Sequence, residues 1–314
     1  MTPKNIQILT AMSELGAGTR GASLGWQALV TASLNKYPTL FYKRNIKAIP
    51  HENELLMRPE KEAVPHHIDG IARQYQRMER EIAAVLRQGH FPLVITGDHS
   101  NAGGTIAGVK KAHPQKRLGV VWIDAHADLH SPYTSPSGNV HGMPLATALQ
   151  EDNRQDAEKE STSAEIEHWN TMKGNEQRLQ PQDLFFVGLR DTEAPEDNLR
   201  KRHNMPNVTV EELRQKGAPA VAKQALDYLQ QCDILYVSFD VDSLDSGISV
   251  GTGTPVPNGL QASEARELLL HLATDERLAA LEVTEINPCL DTKGNAMAET
   301  ALDILKPVIE KLEE

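Results

Sequence analysis

Cysteine is almost missing from this sequence: Cys232 and Cys289 are the two in 314 residues. That count excludes a disulfide framework and a cysteine-based zinc site. Both thiols lie in or beside apolar runs and read as reduced and buried. Long hydrophobic runs are also absent, and no apolar stretch approaches the ~20 residues that a membrane span needs. The start, MTPKNIQILTAM, lacks a basic region followed by an apolar core and a cleavage site, so a cytoplasmic protein is expected. Positive charge is in deficit, with 32 Lys+Arg against 43 Asp+Glu and a net charge of −11. No basic stripe stands out against this balance, which argues against nucleic acid as a partner. The balance suits a cationic ligand without requiring one.

One local absence is equally informative. Gly16-Ala17-Gly18-Thr19-Arg20-Gly21 fits G-x-G-x-x-G after a strand-like run, but from Ala22 to His51 there is no Asp or Glu. A dinucleotide site wants an acid ~20 residues on for the ribose. The stretch therefore reads as a flexible, substrate-facing loop. There is no internal repeat and no low-complexity tract.

What is present is an alternation of apolar runs and helical patterns. Ile6–Thr10, Pro92–Thr96, Leu118–Ile123, Leu184–Leu189, Ile234–Phe239 and Leu278–Val283 read as strands. Most are continuous rather than alternating, the pattern of strands buried on both faces. Between Asp69 and Gln88, Ile71, Tyr75, Met78, Ile82 and Val85 recur at helical spacing, and Gly89 is a stop signal. Further helices are expected near Ala218–Gln231 and Ser263–Ala273, and a closing helix over Gly294–Glu314, kinked or broken at Pro307. The order predicts an α/β fold with a mostly parallel sheet, in one domain spanning 1–314. Polar residues at about 150–182 read as a surface excursion with a helical part. His66-His67, after Pro65, reads as a solvated turn, and Gly103-Gly104 as a place where a helix approaches the site.

Four buried runs lead straight into acids and histidines. They end in Thr96-Gly97-Asp98-His99-Ser100, Asp124-Ala125-His126-Ala127-Asp128, Ser238-Phe239-Asp240-Val241-Asp242 and Glu285-Ile286-Asn287-Pro288. Ligands of open α/β sheets sit at the carboxyl ends of strands. Alternate residues of an extended chain point the same way, so Asp124, His126 and Asp128 converge if the chain stays extended, and Asp240 and Asp242 likewise. Carboxylates packed together repel without a cation. Oxygen ligands mixed with imidazoles suit Mn²⁺, Fe²⁺, Co²⁺, Ni²⁺ or Zn²⁺ rather than Ca²⁺, and the number of ligands suits two ions. One such cluster alone is commonly a helix cap or a turn; their coincidence is not.

These four segments, in this order, resemble the ureohydrolase (arginase/agmatinase) family over nearly the whole chain. Ser137-Gly138-Asn139-Val140-His141-Gly142 and Gly251-Thr252-Gly253-Thr254-Pro255 look like its arginase branch. The resemblance implies a three-layer α/β/α fold and two Mn²⁺ ions, other divalent transition metals being alternatives. One ion would be held by His99, Asp124, Asp128 and Asp240, the other by Asp124, His126, Asp240 and Asp242. A bridging hydroxide would attack a guanidinium carbon. Asp128 would orient it and pass on its proton, His141 would shuttle protons, and Glu285 would pair with the guanidinium. Thr254 would shape the pocket, while Ser137 and Asn139 would bind an α-carboxylate. The implied reaction takes L-arginine to L-ornithine and urea, in a homo-oligomer (trimer or hexamer).

The sequence departs from that pattern in places. His130 stands where an Asn usually binds the α-carboxylate, and Glu193 where an Asp usually takes the α-amino group. Thr96 replaces the first Gly of Gly-Gly-Asp-His, and no long tail follows Pro307. The alternatives are therefore another ureohydrolase (agmatinase, guanidino-acid hydrolase or formimidoylglutamase), a one-zinc deacetylase sharing the general fold, or a family member that binds without turnover.

Overall fold

The computed structural model describes residues 3–57 and 65–314. Its centre is an eight-stranded sheet in which every pairing is parallel, in the order β2-β1-β3-β8-β7-β4-β5-β6. In chain order the strands are β1 (Ile6–Ala11), β2 (Asn45–Ala48), β3 (Phe91–Thr96), β4 (Leu118–Ile123), β5 (Leu184–Val187), β6 (Asn207–Val208), β7 (Ile234–Asp240) and β8 (Leu278–Thr284). The helices that follow or connect them are α1 (Gly25–Lys36), α2 (Ile68–Arg87), α3 (Asn101–Ala112), α4 (Pro144–Leu149) and α5 (Ser163–Lys173). Then come α6 (Ala194–His203), α7 (Val210–Lys216), α8 (Ala218–Tyr228), α9 (Ala262–Leu272) and α10 (Ala296–Glu313).

The continuous apolar runs work as expected of doubly covered strands. Leu93, Ile95, Val121, Ile123, Val237 and Phe239 pack on one face with α1, α8, α9 and α10. Their neighbours Val94, Val120, Trp122 and Tyr236 pack on the other face with α2 and α3. Three layers result, α/β/α. Each wholly buried aliphatic side chain contributes about 1.5–3 kcal/mol, so the sheet is held mainly from above and below. Among the described residues no helix is long and apolar enough to cross a membrane.

Two strands escaped the sequence reading, β2 and β6. Both sit at sheet edges; β2 is exposed along its length and β6 is two residues long. Edge strands need no apolar run, so they leave no such signal. Gly89 is the expected stop: its φ is +76°, and the bonds His90 N–H to Val85 O and Gly89 N–H to Leu86 O close the end of α2. Gly103 and Gly104 do not face the site. A Cβ there would strike Tyr75 and Met78, so these glycines let α3 lie close on α2. Cys232 is buried and free as expected, but Cys289 is exposed, because it lies in the loop beyond the apolar part of β8. His66-His67 forms a turn that is half-buried rather than solvated, and the His66 N–H donates to Gly138 O.

The segment 150–182 carries α5, which packs on α2 and buries Trp169 and Met172 completely. The closing helix is not broken at Pro307. Ile304, Leu305, Val308 and Ile309 around it are buried, and this packing outweighs the missing amide bond. Proline inside a helix still costs about 3 kcal/mol. Pro307→Ala should therefore stabilise the protein by about 1–3 kcal/mol in urea unfolding, and a destabilised variant would contradict this account of α10.

Candidate active site

The four clusters leave the carboxyl ends of β3, β8, β7 and β4, which are neighbours at the middle of the sheet. The chain does not stay extended there. Asp124 Oδ1 accepts the His126 N–H at 2.7 Å, and Asp240 Oδ1 accepts the Asp242 N–H at 2.7 Å. Asp128 adopts φ +52°. Each carboxylate thus turns its own chain back on itself. Convergence comes from these local turns, because pleated alternation would be lost once pairing with a neighbouring strand ends.

The result is two overlapping groups. His99 Nδ1 lies 3.0 Å from Asp124 Oδ2, 3.0 Å from Asp128 Oδ2 and 3.1 Å from Asp240 Oδ2. His126 Nδ1 lies 2.9 Å from Asp242 Oδ2 and 3.5 Å from Asp124 Oδ1. Asp124 belongs to both. One ring nitrogen carries at most one proton and cannot satisfy three carboxylates. Accordingly His99 Nδ1, Asp124 Oδ2 and Asp128 Oδ2 are buried without a hydrogen bond. Burial and the Asp124 charge push the Asp128 carboxyl up to about 7, and burial and Asp242 push Asp240 well above the usual range. The acids resist being charged together, as ligands do before their cation arrives. Orphaned donor atoms, the mixed oxygen–nitrogen donor set and the shared Asp124 all fit divalent transition-metal ions.

Above the cluster opens a cleft of about 280 Å³. All the predicted site residues line it except Asp124 and Glu285, which lie beneath. Glu285 has φ +66°, accepts the His99 N–H through Oε1 at 2.8 Å, and leaves Oε2 buried and unpartnered. His141 Nδ1 is 3.4 Å from Glu285 Oε1. Burial disfavours charge on His141, but Glu285, with Asp128 and Asp98, outweighs it and raises the imidazole above its ordinary value. Thr254 Oγ1 donates to Asp242 Oδ2 at 3.1 Å.

At the other end of the cleft, the two departures from the family pattern meet. His130 Nε2 is 3.2 Å from Glu193 Oε2 and 3.6 Å from Glu196 Oε2, while its Nδ1 is 3.1 Å from Thr134 Oγ1. Glu196 escaped the sequence reading because it sits three residues after Glu193 in a helix-start pattern, and it does cap α6. It is also buried, which pushes its carboxyl up to about 7. Asp191, 3.5 Å from His126 Nε2, was missed too.

The surrounding loops are tied down. The glycine-rich loop is pinned by side chains from outside it: the Gly16 N–H donates to Asp98 Oδ2 and the Gly21 N–H to Glu14 Oε2. Gly16 O accepts the His141 N–H. The loop read as flexible and substrate-facing is therefore pinned, and it backs His141. Lys159 Nζ donates to the carbonyls of Ser135 and Pro136, just before Ser137, and Asn153 Nδ2 donates to Pro195 O. The start of the 150–182 segment thus buttresses both loops at the far end of the cleft.

The family profile described as Arginase family matches residues 4–309. An arginase of Brevibacillus brevis is 32% identical over 313 residues, covering 97% of each chain. An arginase of Bacillus subtilis (strain 168) is 30% identical over 310 residues, covering 98% of each. The crystal structure of arginase from that Bacillus subtilis strain superposes with a TM-score of 0.83 at 29% identity, covering 98% of each chain. With its metal-ligand clusters at the ends of β3, β4 and β7, and Glu285 at the end of β8, the chain belongs to the arginase family.

Proposed function

We propose that this protein hydrolyses the guanidino C–N bond of L-arginine, giving L-ornithine and urea, with two manganese ions in the Asp/His cluster. Membership of the family makes it a metal-dependent hydrolase of guanidino compounds. The observation that carries the two-ion reading is His99 and His126 facing five carboxylate contacts around the shared Asp124, with donor atoms left orphaned. His99, Asp124, Asp128 and Asp240 would hold one ion; Asp124, His126, Asp240 and Asp242 the other. Bound there, the ions supply a water of lowered pKa and positive charge at the reacting centre.

The chain's own residues do the rest. Glu285 Oε2 has no partner of its own and accepts guanidinium N–H groups, fixing a planar cation above the cluster. Asp128 takes the proton of the attacking water and delivers it to the leaving nitrogen as the C–N bond breaks. His141, steadied through Gly16 and Glu285, exchanges with solvent a second proton, the one released when the next water takes the place of the first. Ser137 and Asn139 hydrogen-bond the α-carboxylate, and Glu193 with Glu196 attracts the α-ammonium.

The His130–Glu193 pair favours a second reading, in which the far end of the substrate differs from that of arginine. Urea release from arginine, agmatine and 4-guanidinobutyrate, assayed side by side with Mn²⁺ and with metal analysis of the same preparation, decides. Arginine should be turned over fastest; an inactive arginine reaction beside good turnover of another compound would overturn the proposal. Asp128→Asn should lower kcat by about 10²–10⁴-fold, since it removes the proton carrier; retention of full activity would remove Asp128 from this role. Ser137→Ala with Asn139→Ala should raise KM for arginine about 5–150-fold, two lost hydrogen bonds being worth roughly 1–3 kcal/mol, and leave KM for agmatine unchanged. Equal effects on both substrates would refute carboxylate recognition by this loop.

A further inference from the structure

A carboxylate entering the outer end of the cleft meets no permanently charged cation. Among the described residues that line the cleft there is no lysine or arginine, whereas Asp191, Glu193 and Glu196 are all there. Neutral donors are left to hold it, and on the loop 135–139 these belong to Ser137 and Asn139. The loop arranges its own groups to that end. Ser135 Oγ accepts the Gly138 N–H at 3.0 Å, and Ser137 Oγ accepts the Asn139 N–H at 3.2 Å. The Ser137 hydroxyl therefore keeps its own proton to donate. The Ser137 N–H has no acceptor among the described residues, and Ser137 is exposed.

This loop is fastened from outside the cleft. Ser131 Oγ donates to Asp152 O at 2.6 Å, and the N–H groups of Glu158 and Lys159 donate to Tyr133 O at 2.9 and 3.1 Å. The Arg154 guanidinium lies over the Tyr133 ring, 3.4 Å from its centroid. The Lys159 ammonium completes the clamp, donating to Ser135 O at 2.5 Å and to Pro136 O at 2.9 Å. Among the described residues no carboxylate pairs with Lys159, so its charge falls on those two carbonyls. The Pro136 carbonyl and the Ser137 N–H belong to one peptide group, and in a trans peptide they point in opposite directions. Lys159 does not line the cleft, so it holds the Ser137 N–H turned away from itself. A cation on the carbonyl oxygen also makes the N–H of the same peptide a stronger donor. A donor fixed in advance loses little freedom when an anion arrives.

We infer that Lys159 is a positioning residue for substrate selection: from behind the loop it orients and polarises the Ser137 peptide group, and so favours a guanidino compound that carries a carboxylate at its far end. The inference rests on the arginine reading of the cleft. Its test is initial-rate kinetics of the full-length protein with Mn²⁺, for wild type, Lys159→Met and Lys159→Arg. L-Arginine is the substrate; agmatine, which lacks the carboxylate, is the second substrate or, where it is not turned over, a competitor. Lys159→Met keeps an unbranched stem and removes the charge, while Lys159→Arg keeps charge and donors. Lys159→Met should raise KM for arginine about 3–10-fold, the range of one hydrogen bond's net contribution, with kcat and the agmatine constant unchanged. Lys159→Arg should recover most of that loss. A wild-type KM for arginine in Lys159→Met would overturn the inference. So would an equal change for agmatine, which marks a general brace, or a loss in Lys159→Arg as deep as in Lys159→Met, which shows that the charge is not needed. If Lys159→Met fails to fold by circular dichroism, Lys159→Gln is judged by the same outcomes. A wild type that leaves arginine untouched but hydrolyses another guanidino compound overturns the arginine reading, and the inference with it.

Discussion

Mutual repulsion among buried carboxylates governs this molecule. Asp124, Asp128, Asp240 and Asp242 are packed around two histidines with almost no access to water. At an effective dielectric of about 20, two charges 4 Å apart interact by about 4 kcal/mol, so an uncompensated cluster of this kind opposes the fold that creates it. Histidine protonation relieves part of the repulsion and a metal cation relieves more. The rest of the architecture resists the strain. Four central strands deliver the groups, apolar layers cover both faces of those strands, and backbone N–H groups of His126 and Asp242 fix the carboxylates that turn back on themselves.

The two ends of the cleft obey different constraints. Near the sheet, every group is set by a strand end and held by at least one partner from another strand. Away from it, the cleft is lined by loops, and these are braced from behind by Lys159, Asn153 and the glycine-rich loop. His130 and Glu193 each depart from the family pattern, and they face each other across 3.2 Å. A larger imidazole on one loop is matched by a longer acid on the other, so the two changes act as one.

Strand ends were legible in the sequence because burial on both faces forces an unbroken apolar run, and acids after such a run are costly unless used. That rule locates Asp98–His99, Asp124–Asp128, Asp240–Asp242 and Glu285. It is silent where burial is not demanded, which is why the exposed edge strand Asn45–Ala48 passed unnoticed. It also misled on detail: the acids converge by turning rather than by pleating. Glu196 shows a deeper limit. Its spacing satisfies a helix cap and its burial serves the cleft, and one sequence pattern cannot separate two uses of the same side chain. Contacts such as His130–Glu193, between residues far apart in the chain, are written in no local pattern at all.

The ligands are supplied by β3, β4 and β7, which lie far apart in sequence and come together only when the long crossovers between them have been made. A half-built chain therefore has no place for an ion. The metal acts as a proofreader, acknowledging only a finished sheet, and its grip adds to the stability of that state alone. At an ion concentration one hundred times the dissociation constant the gain is about 2.7 kcal/mol. Scarcity of the metal would then shorten the life of the protein as well as slow its chemistry.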